Sequence, residues 1–155
     1  MVLHVITTSE RPDLAPVVAG WRWQDFWRRD GHSYDDTLQA VIKSVTSYPM
    51  PRTFILLADG SPVGTASLAE HDLDDRRDLS PWLAGVYVDP SACGKGYSKP
   101  LIEAVLQECR RLAHPVIWLY TRTAEGLYAK SGWSTAERFE LRNQPYALMR
   151  LAIES

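Results

Sequence analysis

The stretch "VYVDPSACGKGYSKPLIEAVL" (residues 86–106) decides the fold. It runs from an apolar strand through a Gly-Lys-Gly turn into a segment with Ser98, Leu101, Ile102, Val105, Leu106, Cys109 and Leu112 at helical spacing. Strand, glycine turn and helix together offer a row of free amide N–H groups at the positive end of a helix dipole. Glycine at 94 and 96 removes the Cβ atoms that would hold a ligand off the backbone. A phosphate or pyrophosphate is the natural guest.

Two familiar nucleotide loops are excluded. A Walker A loop needs glycine where Asp89 stands and Ser or Thr where Gly96 stands. A dinucleotide fingerprint needs glycine at 99, which is lysine, and an earlier place in the chain. An isolated Gly-x-Gly also serves as a plain turn and helix cap, so the flanking segments must decide.

Upstream, "VLHVITT" (2–8) is a short β-type run. From Pro12 a helix is expected, with Leu14, Val17, Val18 and Trp21 on one face and Trp23, Phe26 and Trp27 largely on a second. Ser33 and Asp36 fit a capping box opening a helix through Leu38, Val41, Ile42 and Val45, which Pro49 and Pro51 end. "RTFILLADGSPVGTASLAE" reads as a hairpin turning at Asp59-Gly60, and 71–81 as a charged loop. "WLAGVYV" (82–88) is continuously apolar, which predicts burial on both faces. Downstream come a central strand "VIWLYT" (116–121), a short helix stopped by Gly132, and a closing strand pair, "STAERFEL" and "YALMRLAI". The order β-α-α-β-β-β-α-β-α-β-β is an α+β fold with a right-handed β-α-β crossover at its centre.

The chain has 155 residues, 45% hydrophobic and 23% charged, which suits one domain spanning 1–155. A net charge of −2 gives no field to recruit nucleic acid or an acidic membrane. Two cysteines without metal-ligand spacing predict reduced thiols and no metal site. With no leader pattern and no apolar run of about 20 residues, a cytoplasmic protein is expected.

Residues 86–106 resemble the acyl-CoA-binding segment of the GNAT superfamily of N-acetyltransferases, whose signature is Arg/Gln-x-x-Gly-x-Gly/Ala between a strand and a long helix. "GLYAKSGW" (126–133) is similar to the family's tyrosine segment near the C-terminus, and the order of elements agrees. The resemblance covers essentially the whole chain. It implies a mixed, mostly antiparallel sheet flanked by helices, with acetyl-CoA as co-substrate and direct transfer of the acetyl group to a primary amine. Two departures stand out: Ser91 occupies the Arg/Gln position, and Cys93 precedes Gly94. A non-catalytic acyl-CoA-binding module of the same fold is the alternative that Ser91 favours.

The resemblance places coenzyme A along Val86, Tyr87 and Val88 and on the turn formed by Cys93, Gly94, Lys95, Gly96, Tyr97, Ser98 and Lys99. It makes Tyr128 the donor to the departing thiolate. A reference phenol at about 10 and a thiol at about 8.5 make full proton transfer uphill by about 2 kcal/mol. The attacking amine must also lose a proton. Glu70 and Asp78 are the carboxylates nearest the expected base position, and no tight motif chooses between them. A nucleophilic Cys93 lacks a histidine nearby in sequence and is set aside. The acceptor, a small-molecule or peptide amine, is expected among Trp23, Trp27 and His71, where an aromatic wall suits a cationic amine. The sequence leaves the oligomeric state open, a homodimer included.

Overall fold

The computed structural model describes residues 2–154. Its centre is a seven-stranded sheet made of β1 (Leu3–Thr7), β2 (Arg52–Ala58), β3 (Ser61–Ala69), β4 (Trp82–Val88), β5 (Val116–Thr121), β6 (Ser134–Leu141) and β7 (Gln144–Ala152). The strand order is β1-β2-β3-β4-β5-β7-β6, antiparallel throughout except where β4 meets β5. Helices α1 (Ala15–Asp25) and α2 (Tyr34–Thr46) cover one face, through Val18, Ala19 and Val41 against Ile55 and Leu57. Helix α3 (Ser98–Arg111) covers the other, through Leu101, Val105 and Cys109, and α4 (Glu125–Lys130) adds Tyr128 to that side.

Local chemistry explains most boundaries. Ser33 accepts from the Asp36 amide at 3.0 Å while Asp36 accepts from the Ser33 amide at 3.3 Å, the reciprocal cap expected at the head of α2. Asp59 and Gly60 both take positive φ in the β2–β3 turn. The edge strand β6 is exposed from Ser134 to Arg138, and Glu137, Arg138 and Glu140 along it discourage pairing with another sheet.

Two expectations need correction. The first helix stops at Asp25, and Phe26, at φ −127°, breaks it into a 3-10 turn over Trp27–Asp30. Trp27 therefore leaves the helix face and packs on His32 at 5.2 Å. Strand β4 is buried only over Trp82–Leu83, and Ala84 to Val88 are half-buried. The cause is that β4 and β5 pair at a single position, Trp82 opposite Trp118, and then diverge. Beyond it β4 bulges: Ser67 faces Ala84 and Thr65 faces Tyr87, leaving one extra residue on β4 at Gly85, whose φ is +61°.

Leu101 is fully buried where α3 meets the sheet. Leu101→Ala is expected to cost about 2–5 kcal/mol, measured as a lower denaturation midpoint by circular dichroism.

Candidate active site

The glycine turn has the form an anion needs. After β4, a 3-10 turn covers Pro90–Ala92, and Gly94 and Gly96 follow at φ +83° and +73°. The amides of Gly94, Lys95, Gly96 and Ser98 have no partner among the described residues. They lie at the head of the 14-residue α3, whose first turn contains Pro100, a residue with no N–H of its own. Tyr97 is buried and anchors the turn to the core, while Lys95 and Lys99 are exposed beside it. Ser91 donates its hydroxyl to Asp89 at 2.7 Å, and the Ser91 amide donates to the same carboxylate at 2.9 Å. The side chain at the unusual position is thus turned back on the strand end. Cys93 is exposed, with Sγ 3.8 Å from the Val88 carbonyl.

The turn opens onto the fork between β4 and β5. From Leu83 onward the β5-facing edge of β4 has no strand partner. Val86 and Val88 pack towards α3, while Tyr87 points to the opposite face and stacks on Trp21 at 5.5 Å. On the α3 face, Tyr128 meets Trp133 edge-on at 5.7 Å, and its hydroxyl has no partner among the described residues. Burial raises the Tyr128 phenol above its ordinary pKa. Such a phenol holds its proton tightly and acts as a hydrogen-bond donor more readily than as an acid.

The other face of the fork holds groups that the pattern of residues did not reveal. Arg22 rises from α1 and donates Nη2 to the Ser67 hydroxyl, and to Thr53 Oγ1 at 3.4 Å. A Cβ on Gly85 would lie 3.2 Å from Arg22 Nε, so the bulge leaves room for the guanidinium as well as turning the strand. No carboxylate lies within 4.0 Å of this cation among the described residues, and burial lowers its pKa to about 10. Asp72, in the loop after β3, is close enough to feel both Arg22 and Tyr120. Solvent reaches Asp72, yet protein surrounds it on most sides, as befits the wall of a cleft. That enclosure pushes its carboxyl up to about 7, with Arg22 pulling the other way. Tyr120 stands over the fully buried Trp82 at 6.2 Å, with Tyr146 at 5.6 Å and Phe139 at 6.0 Å from it.

The residues singled out from sequence are distributed unevenly around this cleft. Glu70 is exposed, 3.9 Å from His71 Nε2. His71 is half-buried and its Nδ1 is buried without a partner among the described residues. Asp78 is paired with Arg76 at 3.2 Å, which holds its carboxyl below the usual range, the reverse of what a base needs. Trp23 donates Nε1 to the His32 carbonyl at 2.8 Å and lies edge-on to Tyr34. Trp23 and Trp27 thus secure the α1–α2 connection.

Two ion pairs tie the β6–β7 hairpin across the cleft: Arg142 to Asp30 at 2.9 Å and Arg76 to Glu137 at 2.6 Å. A groove of about 520 Å³ between α3 and β1–β2 borders the C-terminal half of α3, through Ala104, Gln107, Glu108 and Arg111, and shares no residue with this site.

A family model, the acetyltransferase (GNAT) family, matches residues 17–133. Among solved structures, yncA from Salmonella typhimurium, determined with its cofactor acetyl-CoA, aligns with a TM-score of 0.76 and 15% identity over 100% of this chain and 96% of that one. A GNAT acetyltransferase from Streptococcus pneumoniae gives 0.72 and 16% over 99% and 100%. A chimera of the spermidine N-acetyltransferase SpeG from Vibrio cholerae and hSSAT gives 0.73 and 18% over 97% and 95%. No curated protein matches the sequence significantly. At these identities the likeness is one of fold.

Because the folded pKa of Asp72 lies above its unfolded value, the native state binds the proton more tightly. That stability is present at low pH and is lost as pH rises towards 7. Asp72→Asn is therefore expected to raise the melting temperature at pH 8 and to change it little at pH 4, measured by thermal unfolding in matched buffers.

Proposed function

This chain belongs to the acetyltransferase (GNAT) family, and from that premise we propose that it transfers an acetyl group directly from acetyl-CoA to a primary amine held on the α1–α2 side of the β4–β5 fork. One observation carries the proposal. Among the described residues, the free amides of Gly94, Lys95, Gly96 and Ser98 and the unpaired edge of β4 run into a fork with a raised carboxyl on one face and an unpartnered phenol on the other.

The fit to the co-substrate follows from these residues. The diphosphate is assigned to the amides of Gly94, Lys95, Gly96 and Ser98, with Lys95 and Lys99 adding positive charge. The pantetheine amides are assigned to the open edge of β4 at Val86 and Val88, where unpaired backbone groups need partners. Bound there, acetyl-CoA supplies an activated thioester carbonyl. Asp72 takes the proton of the incoming ammonium. A carboxyl near 7 lies closer to an amine at about 10.4 than one at about 3.9 does, and is still half ionised at neutral pH. Tyr128 donates a hydrogen bond to the sulfur as negative charge develops on it. Of the two carboxylates singled out from sequence, Asp78 is held in a salt bridge with Arg76, which makes it a weaker base than Asp72, and Glu70 is exposed beside His71.

A non-catalytic acyl-CoA-binding module is the second reading. Its support is Ser91, whose hydroxyl is taken by Asp89 and offers nothing to a diphosphate. Such a module would have no use for a carboxyl held near neutrality.

Acetyl-CoA is expected to raise the melting temperature, and an unchanged curve at saturating co-substrate would count against both readings. Tyr128→Phe is expected to lower kcat by about tenfold to a hundredfold, the worth of one hydrogen bond to a charged group, with coenzyme affinity held within about threefold. Asp72→Asn is expected to lower kcat by about 10²–10⁴ and to abolish the rise of kcat/KM with pH around 7. A Tyr128→Phe enzyme with full thiol release would sink the assignment of that residue.

A further inference from the structure

We propose that the acceptor is a free α-amino acid, whose carboxylate is held by Arg22 while its amine faces Asp72. The inference rests on the acetyl-transfer reading and deepens it.

Arg22 is a cation enclosed in the α1–sheet junction, and its three nitrogens have different fates. Nη2 is fixed by the hydroxyls of Ser67 and Thr53. Nε is buried against Gly85 and has no partner among the described residues. Nη1 also has no protein partner among them and is not among the sealed polar atoms. Hydroxyls orient a guanidinium but do not neutralise it. An enclosed charge with no carboxylate within 4.0 Å among the described residues is costly, and Asp72, its opposite charge, acts on it only from further away. An anion supplied by the ligand would complete the site. With Nη2 taken by hydroxyls and Nε buried, Nη1 is the group left to donate to a ligand, and a carboxylate oxygen is an acceptor that also brings the opposite charge.

Position limits which anion it can be. Arg22 lies under the bulge at Gly85, where β4 has just left β5, and Asp72 interacts with both Arg22 and Tyr120. The anionic group and the reacting amine must therefore lie within one small molecule's length of each other. That is the arrangement in an α-amino acid. The diphosphate of the co-substrate is accounted for by the turn at 94–98, at the far end of β4, so it does not reach Arg22. The aromatic cluster of Tyr120, Tyr146 and Phe139 offers the side chain an apolar surface. A polyamine would bring further positive charge beside a cation that has no carboxylate within 4.0 Å among the described residues, and is disfavoured by that charge.

The experiment compares α-amino acids with their primary amides, their decarboxylated amines and spermidine. It follows thiol release from acetyl-CoA, with rates corrected for the fraction of free amine. In the native protein, the amino acids are expected to exceed their carboxylate-free counterparts in kcat/KM by about tenfold to a hundredfold. In Arg22→Gln that margin should vanish through a higher KM for the amino acid, any change shared by the amides reporting the lost charge beside Asp72, and Arg22→Lys should restore part of the margin. The native panel tests the proposal even if Arg22→Gln does not fold, and melting curves identify that case. Equal use of carboxylate-bearing and carboxylate-free amines, or a preference for spermidine, overturns the inference while leaving acetyl transfer intact. So does an equal loss for both classes in a folded Arg22→Gln, which would make Arg22 a structural residue only. A native protein that neither binds acetyl-CoA nor releases thiol overturns the transfer reading and this inference with it.

Discussion

Strands β4 and β5 share one paired position and then separate, and this separation organises the molecule. Two parallel strands that stop pairing leave two edges of backbone N–H and C=O groups, which must find other partners or stay wet. The single extra residue at Gly85 bends β4 at that point and sharpens its twist. The same residue gives Arg22 the space that a Cβ would take. One glycine thus sets the direction of a strand and the seat of a buried cation.

The fork divides the chemistry between two faces of the sheet. On the α3 face stand the amides of the glycine turn and Tyr128; on the α1–α2 face stand Arg22, Asp72 and Tyr120. Enclosure acts on Tyr128 and Asp72 in the same direction and with opposite use. It makes the phenol a weaker acid and the carboxylate a stronger base. Arg22 limits the second effect, since its charge favours the ionised form of Asp72. The ion pairs of Arg142 with Asp30 and of Arg76 with Glu137 are largely at the surface, where solvent screens them and they add little stability. Their role is to fix where the hairpin lies across the cleft.

Much of this was legible in particular residues. Ser33 and Asp36, Asp59 and Gly60, and the apolar stripe from Leu101 to Cys109 act within a few positions of one another, so their spacing alone marks the elements they form. The glycine turn belongs to the same class. Asp72 was hidden in "HDLDDRRD", where the sequence offers several carboxylates and nothing to rank them. The folded loop does the ranking: Asp78 pairs with Arg76, two residues away, while Asp72 is set near Arg22 and Tyr120 from distant elements. Arg22 did carry a signal, a charge set between Trp21 and Trp23 where the preceding part of α1 is apolar. The apolar run 82–88 misled in the other direction, because its second half faces a cleft and not a neighbouring strand.

From the sequence by itself came the order of strands and helices, their caps and turns, the glycine turn at the head of α3 and the tyrosine of the last helix. These depend on steric and hydrogen-bonding rules that operate over a few residues of chain. Tertiary structure alone decided where β4 leaves β5, which carboxylate of the 70–78 loop comes near Arg22 and Tyr120, and that a cation from α1 lies beneath the bulge. A pKa, a bulge and an unpaired charge are set by atoms that are distant in sequence, and only the folded chain brings those atoms together.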